Sequence, residues 1–321
     1  MSFLDNLGAF VGSIPGNISQ GLIWGIMAIG LYITYKILDI ADLTVDGSFC
    51  TGGAVCAAML VGGCPVWLSL LGAFAGGMVA GLVTALLHTK CKIPAILAGI
   101  LTQMALWTVN MLAMGGFREM KNNVAISADK YDPLVAKIFE DDVAMGFKPF
   151  YRHPVFVLVV LSVVLIAILY WFFGTERGCS IRATGANEHM ARAQGINTQV
   201  NKIIGLVLSN GLVALAGALL AQYNGTVDIN LGKGAIVIGL AAVIIGEVTF
   251  GKLFKNFALK LTAVSLGAIL YYIIIQVVIT LIDVDTQYMK LFSALVVAVF
   301  LTLPALSAGK KHKGKKVAGH A

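Results

Sequence analysis

Long apolar runs alternate with short polar linkers along most of the chain. A membrane-crossing α-helix needs about 20 consecutive apolar residues, because each residue adds about 1.5 Å of rise across a hydrocarbon layer roughly 30 Å thick. Runs near this length predict about nine transmembrane segments. They cover residues 18–38, 48–61, 66–88, 94–114, 155–173, 200–223, 235–250, 257–282 and 291–306. The expected fold is all-α, a polytopic membrane bundle of about 8–10 transmembrane helices.

Composition excludes a water-soluble domain of this length. The 321 residues are 58% hydrophobic and 12% charged, and the mean hydropathy is +0.87, whereas a soluble chain carries about 25% charged residues. We expect residues 1–309 to form a single transmembrane domain, followed by a basic cytoplasmic tail over residues 310–321. Lys and Arg around the membrane segments explain the net charge of +7, so no nucleic-acid partner is predicted.

Basic residues also predict the orientation of the chain in the membrane. Five lysines lie between residues 310 and 316, which places the C-terminus in the cytoplasm. Alternating backwards places Lys36 and the stretch 177–202 inside, and the loop 115–153 outside. This loop has six basic and six acidic residues, the neutral balance expected of an outer loop. It either contacts a substrate-delivery protein or is a variable surface loop.

The polar stretch 177–201 separates two very apolar segments and carries helix-terminal signals. Asn187 can cap a helix, and Glu188 then stands in its first turn, where the helix dipole favours a negative charge. Arg192 follows Glu188 by one helical turn, and Gly195 suits the left-handed position that ends helices. The pattern predicts one or two turns of polar helix on the cytoplasmic face. A helix this short needs a surface to dock on, so a protein contact is one interpretation and a solvated loop is the other.

Three acidic residues, Asp39, Asp42 and Asp46, occur at the junction of the first two segments. On a helix their spacing would place them on one face. The glycine-containing stretch 47–53 predicts a broken or re-entrant helix, which membranes tolerate only where it faces protein or water. The acids form either a gate or structural turn at the inner mouth of a pathway, or a group of solvated loop carboxylates.

Uncharged polar residues also occur inside the apolar segments. Gln103 and Asn110 are seven residues apart and share a helical face, with Thr102 beside them, and Asn210 lies within a later segment. Polar side chains in hydrocarbon face neighbouring helices or a wet cavity. These residues therefore line a transport pathway or make hydrogen bonds between helices. Small residues at helical spacing, such as Gly77 with Gly81, predict close helix packing within or between subunits.

Signatures of enzymatic chemistry are missing from the sequence. There is no GxxxxGK followed by Ser or Thr, so the chain has no phosphate-binding loop for ATP. The five cysteines form no CxxC pair, and no histidine cluster accompanies them. We therefore predict no catalytic residues, no metal site and no cofactor. If transport is energised by ATP, another subunit hydrolyses it.

Three stretches resemble the permeases of one transporter family. They are residues 182–187 (RATGAN) with Ala191 and residues 195–197, residues 38–49 around ADLTVDGSF, and residues 208–219 with LSNGL and AGAL. Together they resemble bacterial ABC importer permeases of the branched-chain amino acid and ribose type, and within that group the tryptophan/tyrosine transport permeases. The resemblance covers roughly residues 17 to 305 and is weak evidence for the substrate.

The resemblance implies alternating access between two membrane faces. Two permease copies would enclose the pathway, two cytoplasmic ATPase subunits would dock on the polar helix, and an extracytoplasmic solute-binding protein would deliver the solute. A homodimer is expected, and a related partner permease is the alternative. The implied ATPase-coupling residues are Arg182, Gly185, Asn187, Glu188, Ala191, Arg192 and Gly195. The candidate pathway or gate residues are Asp42, Asp46, Thr102, Gln103, Asn110 and Asn210.

In this interpretation Gly185 and Gly195 mark the two ends of the polar helix. The expected solute is an amino acid, aromatic ones included, with sugars and branched-chain amino acids as close competitors. The rival function is a stand-alone secondary transporter or channel. Such a protein needs a charged or ion-binding group of residues near the middle of the bilayer, where the sequence places mainly uncharged amides.

Overall fold

The first helix is a long apolar rod that ends in a change of winding. The computed structural model describes residues 3–115, 119–126, 134–135, 153–251, 253–254, 256–282, 291, 294–295, 297–299 and 302. Helix α1 spans Phe3–Tyr32 and continues as a π-helix over Ile33–Ile37. The N–H of Leu38 donates to the Ile33 carbonyl at 3.1 Å, which is the longer-range bond of π-winding. Asp39 then adopts a φ of +55°, and helix resumes only at Val45.

The other helices follow the predicted order, with ends shifted by a few residues. They are α2 (Val45–Val61), α3 (Val66–Thr89), α4 (Ala95–Gly115), α5 (Pro154–Gly174), α6 (Glu176–Ala186), α7 (Glu188–Ala193), α8 (Thr198–Asn224), α9 (Ala235–Phe250) and α10 (Phe257–Ile282). Within the described ranges, six helices are long and apolar enough to cross a membrane, and α2 and α9 are shorter apolar helices. The predicted polytopic α-helical bundle is confirmed. The ninth predicted segment lies mostly outside the described residues, as do the tail 310–321 and most of the loop 115–153.

A two-stranded antiparallel ribbon is the only β-structure in the described part of the chain. Strand β1 (Asn123–Ala125) pairs with β2 (Thr226–Asp228), with Val124 opposite Val227. The backbone N–H of Ile126 also donates to the Gly225 carbonyl, at 2.7 Å. The ribbon joins the start of the predicted outer loop to the end of α8.

Helix α8 lies at the centre of the bundle, and 72% of its most apolar 18-residue stretch is buried. Neighbouring helices approach it closely at glycines. In lipid no hydrophobic effect drives helices together, so close van der Waals packing between their backbones stabilises the contact instead. A Cβ at Gly77 or Gly81 of α3 would overlap the α8 backbone at Asn210 or Leu206, and a Cβ at Gly217 of α8 would overlap the Phe49 carbonyl of α2. These small-residue positions therefore pack helices within one subunit. By contrast, only 22% of the most apolar 18-residue stretch of α5 is buried.

Helix α2 begins inside the bundle, near the middle of α8. Ser48 lies beside Asn210, and Cys56 lies beside Gln222, so α2 and α8 run parallel. Helix α1 and its π-helical end stop near one end of the bundle. The seven non-helical residues that follow therefore carry the chain back to about the middle of the bundle, where α2 begins. The prediction that the helix breaks at the glycine-containing stretch 47–53 is wrong, because this stretch is helical. The break lies before it, between Ile37 and Val45.

Helix α9 begins at a similar level and runs in the opposite direction. Gly239 packs against Met27 of α1, and Glu247 forms an ion pair with Lys36 at 3.0 Å, so α9 runs parallel to α1. At about 1.5 Å per residue, both α2 and α9 are roughly 25 Å long. The distance from the middle of the hydrocarbon layer to one membrane surface is roughly 15 Å, so either helix is long enough to reach it. Two short helices thus start in the interior and leave toward opposite ends.

Candidate functional site

The predicted polar helix is present as α7, with Asn187 as its N-cap and Gly195 at its C-terminal end. The Asn187 side chain accepts from the Met190 N–H at 3.0 Å. At the other end Gly195 has a φ of +79°. The Ile196 N–H donates to the Ala191 carbonyl at 3.1 Å and the Gly195 N–H to the Arg192 carbonyl at 3.0 Å. This pair of bonds with a left-handed glycine is the Schellman ending, so the local prediction is confirmed.

Glu188 ties α7 to the first turn of α8. Its carboxylate accepts from Lys202 at 2.8 Å, from Arg192 at 2.7 Å and from the Thr198 hydroxyl at 3.2 Å. These partners, the Lys202 hydrogen bond foremost, hold the pKa of Glu188 below its usual value. The predicted Glu188–Arg192 pair is confirmed, and the contacts with Lys202 and Thr198 fix the angle between α7 and a helix that runs through the whole bundle.

Gly185 does not mark an end of this helix, contrary to the prediction. It lies inside α6, and a Cβ there would overlap the carbonyl oxygen of Ile37. Gly185 therefore lets α6 rest on the π-helix that ends α1. Helix α6 is also tied to α8, because Asn201 donates to Thr184 at 2.8 Å and accepts from Ser180 at 3.1 Å. Sequence reasoning missed α6 because its residues are neither apolar nor periodic.

The remaining predicted coupling residues divide into exposed and buried ones. Asn187 and Arg192 are exposed on α7, whereas Ala191 is 4% exposed and faces the bundle. Arg182 lies on α6 rather than α7, and its guanidinium stands 5.7 Å from the ring centre of Phe257 on α10. Met190, which the sequence analysis did not single out, is 63% exposed on α7. The outward surface of α7 thus combines an apolar side chain with charged ones.

Asp42 and Asn210 meet in the middle of the bundle. Asp42 is 2% exposed. One carboxylate oxygen accepts from the Thr44 N–H at 2.8 Å and the other from the Asn210 amide at 2.7 Å. The Ser48 hydroxyl donates to the amide oxygen of Asn210 at 2.6 Å. The interpretation as solvated loop acids is therefore wrong for Asp42, whose bonds join the unwound segment, α2 and α8.

Asp46 joins the two interior helix ends. Its carboxylate accepts from the backbone N–H groups of Gly234 at 3.1 Å and Ile236 at 2.9 Å. A carboxylate satisfies the free N–H groups and the positive dipole end of a helix. Asp46, in the first turn of α2, thereby caps α9. Asp39, Asp42 and Asp46 do not share a helical face, because Asp39 and Asp42 lie in the unwound segment.

Of the three candidate pathway residues on α4, Asn110 forms a hydrogen bond with α2. Asn110 is 1% exposed, and its amide donates to the Gly47 carbonyl at 3.4 Å. Its amide oxygen has no partner among the described residues. Thr102 is buried and donates to the Ala98 carbonyl of its own helix at 3.0 Å, while Gln103 is half-buried. Asn110 thus makes a hydrogen bond between helices, which is one of the two alternatives that the sequence left open. Among the described residues, no hydrogen bond joins Asn110 directly to Asp42 or Asn210.

Sequence reasoning missed Lys233, which precedes α9. Its ammonium lies 4.8 Å from the ring centre of Trp107 on α4. The available signal was a lysine between two glycines, immediately before an apolar run.

These features define a class of protein. A bundle of apolar helices, with two short helices that start in its interior and a polar helix seated at one end, is typical of a multi-pass membrane transporter. Residues 14–301 match the family described as branched-chain amino acid transport system / permease component. The chain belongs to this family, and is a permease component of ABC import systems in the bacterial plasma membrane.

Individual relatives span nearly the whole chain. The tyrosine transport system permease protein of Clostridioides difficile (strain R20291) is 34% identical over 299 residues, which cover 93% of this chain and 94% of that protein. The uncharacterized protein RP368 of Rickettsia prowazekii (strain Madrid E) is 31% identical, over 89% of this chain and 95% of that protein. The ribose import permease protein RbsC of Haemophilus influenzae is 24% identical, over 90% of this chain and 84% of that protein.

Proposed function

We propose that this permease imports an amino acid, with aromatic amino acids as the first candidates, by alternating access driven by a separate ATPase. The relative that is 34% identical carries the name of a tyrosine transport system permease, which supports the choice of tyrosine as the first solute to test. Two copies of the chain enclose the pathway, and an extracytoplasmic binding protein delivers the solute to its outer mouth.

The observation that carries the coupling mechanism is the seating of α7 on α8. A docking helix transmits motion only if it is rigid and its angle to the membrane helices is fixed. Both ends of α7 are capped, and Glu188 holds it to Lys202 at 2.8 Å. Helix α6 links this unit to Ile37 through Gly185. Motion of an ATPase against α7 therefore reaches both α8 and the segment that leads to Asp42.

The central polar residues fit a gate in this mechanism. Asp42, Asp46 and Asn210 connect the unwound segment, α2, α8 and α9 through side-chain hydrogen bonds. A switch between two access states needs elements with two discrete arrangements. Exchange of these bonds would shift the interior ends of α2 and α9 together. We assign the α4 side of the same gate to Thr102, Gln103 and Asn110.

Reconstitution with purified components tests the proposed function. Proteoliposomes containing this chain, its ATPase subunit and its binding protein are expected to accumulate labelled tyrosine only when ATP is supplied to the ATPase side. Vesicles lacking the ATPase are the control. Accumulation without the ATPase would contradict the proposal and favour the stand-alone transporter. Native mass measurement of the complex separates two identical permease copies from a pair of different ones.

A substitution on α7 tests the coupling route. Glu188→Lys reverses the charge that faces Lys202 and Arg192, so we expect tyrosine uptake and uptake-linked ATP hydrolysis to fall at least tenfold, which corresponds to about 1.4 kcal/mol. Glu176→Lys is the matched control, because Glu176 is an exposed acid in the first turn of α6. Equal losses in both variants would show that α7 has no special role.

A further inference from the structure

Lys233 lies at an unusual depth for an exposed cation. Its ammonium stands over the ring of Trp107. Trp107 is roughly 18 Å from the first residue of α4 and roughly 12 Å from the last, at 1.5 Å rise per residue. The neighbouring Gly232 packs directly against the Asp46 carbonyl at the interior end of α2. The lysine is therefore held well inside the span of the long helices.

The charge of Lys233 has no acidic partner in the described part of the chain. The ion pairs there join Lys36 with Glu247, and Glu188 with Arg192 and Lys202. The Asp46 carboxylate accepts from the N–H groups of α9, and the Asp228 carboxylate accepts from Asn230. Among the described residues, the group seen to interact with the positive charge of Lys233 is the electron-rich face of the Trp107 indole ring.

The surface around Lys233 is open on the single chain. Lys233 is exposed, Trp107 is 40% exposed, and Met104, one turn earlier on α4, is 69% exposed. A lysine facing hydrocarbon at this depth is strongly disfavoured, so such residues face a protein interior or a water-filled cavity. Because Lys233 is held beside Trp107, it does not reach the nearer end of α4. This face is therefore turned toward a water-filled cavity or a protein partner rather than toward lipid, and the labelling experiment below separates these two.

We propose that Lys233 and Trp107 form an anion-selective contact in the transport pathway, which receives the carboxylate of the solute as it passes. The inference rests on the proposed import function. The ammonium supplies the charge, and the indole ring fixes its position and offers a flat apolar surface beside it. The contact selects carboxylate-bearing solutes, such as amino acids, over uncharged sugars. Lys233 is thus a specificity-determining residue.

Charge-selective labelling tests the contact without knowledge of the solute. A cysteine at Met104 is treated with water-soluble thiosulfonate reagents that carry either a sulfonate or a quaternary ammonium group. We expect the ratio of anionic to cationic labelling rates to fall about fivefold when Lys233→Gln is added, because the nearby charge is removed. Lys233→Arg, which keeps the charge, is expected to preserve the ratio. An unchanged ratio in Lys233→Gln would overturn the proposal.

A cysteine on the lipid side controls for access to water. Val163 is 60% exposed near the middle of α5, whose surface is mostly unburied. Val163→Cys is expected to resist both charged reagents, whereas Met104→Cys reacts. Equal resistance at both positions would place Lys233 and Trp107 against lipid or protein and contradict the inference. Native cysteines are replaced by serine in every variant so that only the introduced thiol is measured.

Transport links the contact to the solute. In complete proteoliposomes, Lys233→Gln is expected to lower the maximal rate of tyrosine uptake about tenfold while ATP hydrolysis by the complex is retained, and Lys233→Arg to restore most of the rate. Undiminished uptake in Lys233→Gln would contradict the selective role. A wild-type complex that takes up no tyrosine would instead contradict the proposed function, and the labelling ratio would still decide whether the contact attracts anions.

Discussion

The Asp46 carboxylate accepts the backbone N–H of Ile236 at 2.9 Å, so a side chain in the first turn of α2 caps the start of α9. The two residues are 190 positions apart in the chain. Both helices begin in the interior of the bundle, where an unsatisfied N–H group costs free energy. The bond therefore joins the start of α9 to the first turn of α2 through one carboxylate.

Asp46→Ala is expected to destabilise the protein by about 1–2 kcal/mol, the usual effect of losing a helix cap. The reason is that two N–H groups of α9 lose their acceptor. Thermal unfolding of the detergent-purified protein measures the change. Asp39→Asn serves as the control, since Asp39 is an exposed acid in the unwound segment and asparagine tolerates its left-handed φ. A midpoint for Asp46→Ala equal to that of the wild type would show that the cap is unimportant.

Asn210→Ala is expected to be more damaging, by about 2–4 kcal/mol. It leaves a buried carboxylate oxygen of Asp42 and the Ser48 hydroxyl without a partner, and unsatisfied buried groups, charged ones above all, are destabilising. The yield and unfolding midpoint of the purified protein give the readout. Gln103→Ala removes a similar amide from a half-buried position of α4 and is expected to change both by much less. The reverse order would contradict the role of Asn210 as a central connector.

Gly185→Ala tests the contact between α6 and the end of α1. The added methyl group overlaps the Ile37 carbonyl, so α6 must shift, and overpacking of this kind costs about 1–3 kcal/mol. We expect uptake coupled to ATP to fall even if the protein reaches the membrane. Gly174→Ala is the matched control, because a Cβ there meets no atom within 4 Å. Normal coupling in Gly185→Ala would remove α6 from the proposed route.

Gly195→Val tests the end of α7 by backbone strain alone, since a Cβ at Gly195 has no neighbour within 4 Å. A β-branched residue in the left-handed region is strained by roughly 1–2 kcal/mol or more, whereas asparagine adopts this conformation more readily. ATP-dependent uptake is therefore expected to fall in Gly195→Val and to be largely kept in Gly195→Asn. Similar uptake in both variants would mean that the Schellman ending does not position the docking surface.

The pH dependence of stability should report the Glu188 contacts. Partners of the ionised form lower the pKa of Glu188 from its ordinary value of 4.5. The folded state therefore binds this proton less readily than the unfolded state. The stabilisation is fully present above pH 4.5 and is lost as the pH falls through the folded-state pKa. We expect the difference in unfolding midpoint between wild type and Glu188→Gln to shrink across that range. A difference that is constant with pH would exclude an ionic contribution.

The sequence predicted the local features of this permease with good accuracy. The bounds of α9 and α10 agree with the apolar runs, because a segment in lipid must satisfy its own backbone hydrogen bonds and therefore stays helical along its apolar run. The cap at Asn187, the pair between Glu188 and Arg192, and the left-handed Gly195 follow from contacts within one or two turns. Such short-range chemistry is contained in the order of residues.

Only the tertiary structure decided which distant groups meet. The spacing of Asp39, Asp42 and Asp46 suggested one helical face, but the chain unwinds there, because Asn210 and the first turn of α9 supply partners that no local pattern contains. Gly185 resembled a helix end and instead admits the Ile37 backbone. Lys233 and Trp107, which the proposed anion-selective contact combines, lie far apart in the chain and meet only in the fold. By itself the sequence determined the length and local ends of most of the apolar helices that the structure describes. The fold decided where the helices begin in the bundle and which polar groups they bring together, since those depend on residues far apart in the chain.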